Sequence, residues 1–306
     1  VVVTPLPLYH IFSLTVCCLT FIGLGVECQL ISNPRDTSGF IDLMKKHPGT
    51  IMVGINTLYN ALADHPRIHE LDFSRLKFSA SGGMATQAAV NEKWFALTNT
   101  NIIEGYGLTE TAPVVSLHPM TEKEFTGSAG LVMPNTEVSI RNEQGEALAV
   151  PEVGEVWVRG PQVMQGYWKK ADETALVMTA DGWFKTGDIG RLAEDGRLYI
   201  VDRKKDMIIV SGFNVYPNEI EEVLVEHEGI SEAAVIGVES ETTGESVKAF
   251  VVKSDPGLTR EDVIAYCRKQ LTAYKIPKQI EFCEDLPKSN VGKVLRRELR
   301  TEPVSV

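Results

Sequence analysis

The sequence predicts an α/β fold: a partial large domain of parallel β-α units plus a small β-rich region, followed by a small α+β carboxyl-terminal domain. A chain of 306 residues has room for about two domains. Short β-branched runs alternate with longer helical patterns at first, and turn-rich, alternating segments follow Pro119. We place a remnant of the large domain at residues 1–201 (1–125 β-α units, 126–201 β-rich), a hinge near 202–206 and a small mobile domain at 206–306.

The amino-terminal part alternates between predicted strands and predicted helices. The strands are at residues 1–6, 28–31, 50–55, 76–79 and 101–103, and the helices at 12–24, 37–46, 57–63 and 85–97. Such repeated units imply a parallel sheet with helices on both faces. Residues 11–26 carry no charge, but they are fewer than the about 20 residues of a membrane span. We therefore expect a buried core helix there.

The later segments have their own signals. Short alternating strands are expected at residues 136–140 and 155–158, and hairpin-like turns at 142–145 and 194–196. In the carboxyl-terminal domain, Pro217 begins a predicted helix and Thr259 caps another. Strands at 233–238 and 247–252 lie between these helices. This pattern predicts a small α+β domain.

Composition excludes several classes of protein. With 43% hydrophobic and 23% charged residues, the chain is an ordinary globular one. The formal net charge of −11 argues against nucleic acid as a partner, so an anionic ligand needs a local basic site. The five cysteines show no C-x-x-C spacing and read as reduced thiols without metal or disulfide roles. No targeting signal is visible, so we expect a cytoplasmic protein, with possible peripheral contact at the inner face of the membrane.

Residues 105–110 combine several parts of a nucleotide site. Gly105 and Gly107 permit a tight backbone that approaches a ligand closely. Tyr106 offers a flat face to a base, and Thr109 a hydroxyl to a phosphate oxygen. Glu110 offers the hard carboxylate that Mg²⁺ prefers. The segment follows a predicted strand end, where α/β folds bind ligands. The alternative is an ordinary glycine-rich turn.

Two further polar groups suit ribose or phosphate oxygens. Asp188, on a predicted tight turn, could accept hydrogen bonds from vicinal hydroxyls, although a plain turn aspartate fits the sequence equally. Arg203 carries a planar fork suited to the same oxygens, whereas the charge run 202–206 could be only a solvated linker. His10 follows an apolar segment, where a packed core histidine is the commoner case.

A basic segment near the carboxyl terminus could serve a phosphate. Residues 287–293 read as a flexible loop that ends in Lys293, and Arg296, Arg297 and Arg300 follow it. In an acidic chain, this local positive charge is what a phosphate-handling step would use. The alternative for Lys293 is an ordinary surface lysine at the start of a helix.

Five motifs in this order resemble the adenylate-forming superfamily, most closely the bacterial long-chain fatty acid–CoA ligases. The motifs are Pro7-Leu8-Tyr9-His10 and the segments 106–110, 186–188, 202–206 and 287–293. Residues 33–36, 160–164, 210–221 and 295–299 look like that subgroup. The resemblance implies that a fatty acid carboxylate attacks the α-phosphate of ATP, giving acyl-adenylate and releasing pyrophosphate. The thiolate of CoA then displaces AMP from the acyl-adenylate.

The resemblance also implies roles for individual residues. The nucleotide would be bound by Gly105 and Tyr106 at the adenine, by Thr109 at the phosphate, by Asp188 and Arg203 at the ribose, and by Gly107, while Glu110 would bind Mg²⁺. Lys293 would bridge the carboxylate and the α-phosphate, so Lys293, Glu110 and Thr109 would be the catalytic residues. The remaining roles are the acyl pocket for His10, Ser81, Gly82 and Gly83, the pantetheine path for Ser211 and Gly212, and the hinge for Lys205.

Other functions remain open at this point. Relatives carry a phosphate loop upstream of residues 7–10, and we expect this piece to lack it and to be inactive alone. An enzyme that loads a carrier protein, or that uses short or aromatic acids, fits the nucleotide residues equally well; comparing CoA with carrier protein as acceptor separates the two. A non-catalytic nucleotide- or acyl-binding module is a third reading, and Lys293 and Glu110 argue against it because mere binding needs neither.

Overall fold

A computed structural model of the protein describes residues 1–122 and 124–300. The chain divides into two compact units. The first comprises Val1–Thr186 and Gly190–Ile200, and the second comprises Gly187–Ile189 and the chain from Val201 on. Each unit has its own hydrophobic core. The predicted α/β class is confirmed, while the predicted domain ranges and the hinge stay predictions.

A seven-stranded sheet forms the centre of the first unit. Strands β1 to β5 pair in parallel, and β6 and β7 continue the sheet in antiparallel fashion, in the order β2-β1-β3-β4-β5-β6-β7. The five predicted parallel strands are thereby confirmed. The bounds are β1 Val2–Thr4, β2 Cys28–Leu30, β3 Ile51–Gly54, β4 Phe78–Gly82, β5 Ile102–Gly107, β6 Val114–Leu117 and β7 Leu131–Val132.

Amphipathic helices cover this sheet. Helix α2 buries Phe40, Ile41 and Met44 on one face, and its N-cap Asp36 accepts a hydrogen bond from the Gly39 amide at 2.9 Å. Trp94 is fully buried, and its indole donates to Ser79 Oγ of β4 at 2.8 Å. The helices of this unit are α1 Phe21–Gly23, α2 Thr37–Lys46, α3 Asn56–Ala63, α4 Ala88–Thr98 and α5 Ala171–Val177.

The expected buried core helix at residues 12–24 is wrong in two respects. Ser13–Thr20 forms a π-helix, and the helix α1 that follows it is a single turn. Only Ser13 and Cys17 of this uncharged segment are buried, whereas Ile22 and Leu24 are 60% and 71% exposed. A segment that is apolar on all sides has no stripe that marks one buried face, so its sequence pattern did not reveal this exposure. Among the described residues, no helix is long and apolar enough to cross a membrane.

The predicted β-rich region is a four-stranded sheet in the order β11-β10-β9-β8. Both predicted glycine turns are present, with Gly145 and Gly196 in the left-handed region at φ 81° and 84°. The Arg141 guanidinium lies over the Trp157 ring at 4.6 Å. The bounds are β8 Glu137–Arg141, β9 Gly154–Arg159, β10 Phe184–Leu192 and β11 Leu198–Arg203.

The second unit is the predicted small α+β fold. Pro217 occupies the first turn of α6, and Thr259 accepts a hydrogen bond from the Asp262 amide at 3.2 Å as the N-cap of α7. Strands β14 and β15 pair in antiparallel fashion, and β16 joins β15 in parallel. The bounds are β12 Ile208–Val210, β13 Phe213–Val215, β14 Ile230–Ser240, β15 Gly244–Lys253, β16 Gln279–Cys283, α6 Pro217–Val225, α7 Arg260–Gln270 and α8 Arg296–Leu299.

Candidate functional site

The glycine-rich segment does not form a loop along its whole length, as the sequence had suggested. Gly105, Tyr106 and Gly107 are the last residues of β5. Gly105 lies opposite Gly82 on the parallel strand β4, and Tyr106 lies opposite Ser116 on the antiparallel strand β6. The strand extends beyond Ile103 because Glu104 and Gly105 pair with β4, and because β6, which returns beside β5, pairs with Tyr106 and Gly107. The segment still ends at the carboxyl edge of the parallel strands, where α/β folds bind ligands.

The two glycines of this strand end are required by close packing. A Cβ on Gly107 would overlap the carbonyl oxygen of Pro113. A Cβ on Gly105 would lie 2.9 Å from Cδ1 of Leu117. Both neighbours belong to the segment that returns along β5. The absence of side chains at these two positions lets β6 approach. The Tyr106 ring packs against the buried cluster that includes Val115 and Ile140.

Thr109 and Glu110 lie in a short 3-10 turn, Thr109–Thr111, directly after β5. Thr109 is exposed and Glu110 is half-buried. The phenol of Tyr167 donates to Oε1 of Glu110 at 2.9 Å, and the Met164 amide donates to the Glu110 carbonyl at 2.8 Å. Burial, and then the contact with Glu110, raises the pKa of Tyr167 to about 12. Tyr167 therefore stays protonated as a donor at neutral pH.

The residues around Glu110 fit a magnesium ion that is shared with a nucleotide. In residues 1–122 and 124–300, no group of three or more His, Cys, Asp or Glu side chains could hold a metal. Mg²⁺ commonly binds one or two carboxylates and takes its other ligands from water and phosphate. A single carboxylate, oriented by Tyr167, matches that donor set. The ion would supply positive charge that offsets the charge of the phosphates.

The residues predicted for the acyl pocket lie at and beside the end of β4. Ser81 is buried, and among the described residues no hydrogen-bond partner reaches its Oγ. A Cβ on Gly82 would lie 3.2 Å from the Phe12 ring, and Gly83 has a positive φ of 83° with open space around its Cα. His10 is half-buried rather than packed in the core, and its Nδ1 accepts a hydrogen bond from the Phe12 amide at 3.3 Å. Phe12 thus lies between His10 and Gly82.

Within the second unit, the structure brings Asp188, Arg203 and Lys293 into one electrostatic neighbourhood. Asp188 lies inside β10 rather than on the expected tight turn, although Gly187 before it has a positive φ of 71°. Its carboxylate lies 3.8 Å from Nε of Arg203 on the neighbouring strand β11. The Asp188 side chain is 11% exposed and that of Arg203 is 44% exposed. The guanidinium of Arg203 is therefore partly open to solvent, while the carboxylate of Asp188 is mostly buried.

Lys293 lies in a compact turn rather than in an open loop. The Ser289 amide donates to the Lys293 carbonyl at 2.8 Å, and the Lys293 amide donates to Ser289 Oγ at 3.1 Å. Burial, and then the positive charge of Arg203, lower the pKa of Lys293 to about 8 against the opposing effect of Asp188. A lysine held in this way presents an ammonium group at neutral pH with little water around it. Such a group stabilises developing negative charge strongly.

The arginines that follow Lys293 are not a free basic patch. Arg296 forms a two-armed ion pair with Glu221, and Arg300 pairs with Asp206 at 3.1 Å. Arg297 is 81% exposed and lies 3.8 Å from Glu298. The acidic partners are separated from Arg296 and Arg300 by more than 70 residues of sequence, so no local pattern could have revealed them. Tyr167 was missed for the same reason.

The predicted pantetheine residues form a hairpin turn. Ser211 and Gly212 connect β12 to β13 with φ values of 51° and 85°, the two positive angles that a type I′ turn requires. Both residues are exposed. Lys205 is exposed in the 3-10 turn Lys204–Asp206, whose last residue is buried.

Comparison with known proteins assigns the family. The profile of the AMP-binding enzyme family matches residues 1–168, and the AMP-binding enzyme C-terminal domain matches residues 219–293. The chain belongs to the AMP-binding enzyme family. A long-chain-fatty-acid–CoA ligase of Yersinia pestis is 55% identical over 305 residues, which cover 100% of this chain and 54% of that protein. The chain thus spans about half the length of such relatives.

Solved structures agree with this assignment. An anthranilate CoA ligase in complex with anthranoyl-AMP has a TM-score of 0.90 at 26% identity, covering 97% of this chain and 58% of that one. ATP-bound MatB from Rhodopseudomonas palustris has a TM-score of 0.87 at 32% identity, covering 98% of this chain and 59% of that one. Similarity to these proteins supports the sequence-based resemblance to adenylate-forming enzymes.

Proposed function

We propose that this chain is part of an enzyme that activates a long-chain fatty acid with ATP and transfers the acyl group to CoA. The relatives named long-chain-fatty-acid–CoA ligases support the substrate class, since their similarity extends over the whole chain. The observation that carries the chemistry is the half-buried Lys293 amine beside Asp188 and Arg203. A cation in that setting suits a reaction in which charge builds up on a phosphate.

The other residues take the roles that this chemistry needs. Gly105, Tyr106 and Gly107 would hold the adenine, and Thr109 would contact a phosphate oxygen. Glu110 would hold Mg²⁺, with the phenol of Tyr167 occupying one of its oxygens. The Asp188 carboxylate and the Arg203 fork would bind the ribose hydroxyls. His10 and residues 81–83 would border the acyl chain.

The second half-reaction needs different groups. We assign the pantetheine of CoA to the exposed turn of Ser211 and Gly212, because its backbone is held in one conformation by two positive φ angles. One site that serves two reactions has to present Lys293 first and this turn afterwards. The exposed turn at Lys205 would be the hinge between the two arrangements.

The test uses an extended enzyme, in which this chain is preceded by the amino-terminal part of the Yersinia pestis relative. Fatty-acid-dependent exchange of pyrophosphate into ATP reports adenylation, and conversion of supplied acyl-adenylate reports thioester formation. Lys293→Ala should slow the first step by about 10²- to 10³-fold and leave the second nearly unchanged. Equal loss in both steps would show that Lys293 is structural.

Substrate controls separate the alternatives. Palmitate should be preferred to acetate and to an aromatic acid, because each buried CH₂ contributes about 0.8 kcal/mol. CoA should be the acceptor in preference to a carrier protein. The reverse preference in either comparison would assign the chain to another branch of the family. Contact with the membrane stays a prediction, which co-sedimentation with anionic vesicles would test.

A further inference from the structure

The turn that carries Lys293 is fixed by ion pairs on both sides. Lys288 and Val294 form a β-bridge across its base. On the amino side, Nζ of Lys288 lies 2.9 Å from a carboxylate oxygen of Glu232 on β14. On the carboxyl side, the guanidinium of Arg296 pairs with Glu221 on α6 at 2.8 Å. The Lys293 turn is thus clamped between a strand and a helix of the same unit.

The carboxyl-side contact has the more restrictive geometry. Nη2 of Arg296 donates to both Glu221 oxygens at 2.8 and 2.9 Å, and Nε donates to Oε1 at 3.1 Å. Glu221 is fixed in turn, since its Oε1 accepts from the Val235 amide at 2.7 Å. Both side chains are 15% exposed. A two-armed arginine–carboxylate pair fixes orientation as well as distance.

The same arginine is linked to the strand end that carries Arg203. Nη2 of Arg296 also donates to Oδ1 of Asn218 at 2.7 Å. The Asn218 amide donates to Oδ2 of Asp202 at 2.8 Å, and Oδ1 of Asp202 accepts from the Arg203 amide at 2.7 Å. Asp202 is 1% exposed. A continuous set of hydrogen bonds therefore joins Arg203, through Asp202 and Asn218, to Arg296, three residues after Lys293.

Stability alone does not account for this arrangement. A buried ion pair offsets its desolvation cost only in part, and apolar replacements are often as stable. What the pair contributes is a fixed geometry between segments distant in sequence. We propose that Arg296 is a positioning residue, which holds the Lys293 turn in register with Arg203 so that both cations face one anionic ligand. The identity of that ligand as a nucleotide phosphate rests on the proposed function.

The experiment measures the Lys293 amine directly in the 306-residue chain. Lysines are reductively methylated with a ¹³C label, and the Lys293 resonance is assigned with Lys293→Arg. In the wild type it should titrate near 8. Arg296→Met and Arg296→Lys should both move that value towards the ordinary value of about 10.4 and narrow the resonance as the turn loosens. Arg297→Met, one residue along and 81% exposed, is the matched control and should change neither.

Arg296→Lys separates positioning from simple charge. It retains the positive charge but cannot form the two-armed contact. If the Lys293 resonance and its titration are unchanged in Arg296→Lys and altered only in Arg296→Met, charge alone matters and the proposal is overturned. If Arg296→Met does not fold, Glu221→Gln replaces it in the test, because glutamine has the size of glutamate but weakens the ion pair with Arg296. An unchanged Lys293 in Glu221→Gln would equally overturn the proposal.

Adding ATP to the same samples distinguishes this inference from the proposed function. A wild-type Lys293 resonance that shifts with ATP, and shifts less in both Arg296 variants, supports the two together. If the Lys293 resonance changes in the Arg296 variants but does not shift with ATP, the positioning role of Arg296 is supported and the nucleotide-binding role of Lys293 is contradicted. Equal ATP-induced shifts in wild type and in both Arg296 variants would overturn the positioning role.

Discussion

The phenolic hydroxyl of Tyr167 donates a hydrogen bond to Oε1 of Glu110 across 2.9 Å, although 57 residues separate the two in sequence. The Tyr167 backbone is fixed as well, since its amide donates to Thr174 Oγ1 at 2.9 Å. Glu110 therefore has one oxygen directed towards Tyr167 and its carbonyl bonded to the Met164 amide. The other carboxylate oxygen is the one that the proposed function assigns to Mg²⁺.

Tyr167→Phe should weaken the metal dependence of the extended enzyme. The substitution keeps the ring and removes only the donor, so the Glu110 carboxylate loses its orientation. Loss of such an outer partner typically reduces metal affinity about 10- to 100-fold. The measurement is the Mg²⁺ concentration that half-saturates ATP binding. Tyr199→Phe, on β11, is the control; an unchanged requirement in Tyr167→Phe would show that Glu110 does not bind the metal.

The rate of adenylation should fall as pH rises through about 8. Burial, and then the positive charges of Arg203 and Arg296, lower the pKa of Lys293 to about 8, while Asp188 and Asp206 oppose this shift. Below that pH the amine is charged and attracts the phosphate, and above it the attraction is lost. A pH profile of pyrophosphate exchange measures this limb. In Lys293→Arg, which stays charged, the limb should be absent whatever activity remains.

The same shift predicts an effect on stability. The pKa of Lys293 is about 8 in the folded chain against 10.5 ordinarily, so the unfolded state binds more protons between those values. The free energy of unfolding should therefore rise with pH over that interval and be lowest, for this group, below about 8. Urea titrations at several pH values measure it. Lys293→Met should lose this part of the pH dependence.

Gly107→Ala should destabilise the strand end that carries Tyr106. Its Cβ would overlap the Pro113 carbonyl, which is backbone and cannot turn aside. Overpacking of this kind typically costs about 1–3 kcal/mol, and the shift should also reduce nucleotide binding. Gly23→Ala is the matched control, since nothing lies within 4 Å of its Cβ position. Wild-type stability and nucleotide affinity in Gly107→Ala would contradict the packing argument.

Trp94→Ala should be among the most destabilising changes in the first unit. Trp94 is fully buried. Its ring forms edge-to-face contacts with the rings of Tyr59 and Phe73, at centroid distances of 4.9 and 5.5 Å. Removing a buried aromatic residue typically costs about 3–5 kcal/mol. Chemical denaturation measures the loss. Phe95→Ala, on the same helix but 43% exposed, should lower the free energy of unfolding far less. Equal losses of stability in the two variants would show that Trp94 is not a central residue of the core.

The sequence was informative wherever one local pattern decides a structure. The β-branched runs predicted five parallel strands, and Thr37–Lys46 was predicted to the residue because an N-cap and an apolar stripe coincide there. Residues 12–24 failed because a uniformly apolar segment has no stripe, so its burial depends on what else packs there. Strand β5 was predicted too short, and its last two residues, Tyr106 and Gly107, pair only with β6, which comes later in the chain.

The candidate site was predictable to a different degree. Motifs supplied the residues that would touch ligands, because those residues cluster in short segments. The residues that orient them could not be found in this way. Tyr167 reaches Glu110, and Glu221 reaches Arg296, only after the chain has folded. Asp188 was placed on a turn because Gly187 precedes it, whereas strand pairing with β9 and β11 keeps it inside β10.

The last prediction concerns the proposed hinge. The backbone hydrogen bond of the turn at Lys204–Asp206 runs from the Met207 amide to the Arg203 carbonyl and does not use the Lys205 amide. Lys205→Pro therefore removes no part of that bond but fixes φ near −65° and disfavours helical angles at Lys204. In the extended enzyme it should abolish one half-reaction and spare the other, because only one arrangement tolerates the fixed angle. Lys205→Ala, which removes the exposed side chain alone, should retain both. Separate assays of acyl-adenylate and acyl-CoA measure the two steps.

Two outcomes would contradict the hinge. If the Lys205→Pro variant catalyses both half-reactions at wild-type rates, or loses both in proportion, the rotation does not occur at the backbone of Lys205. The exposed lysines of this turn would then belong to a solvated linker.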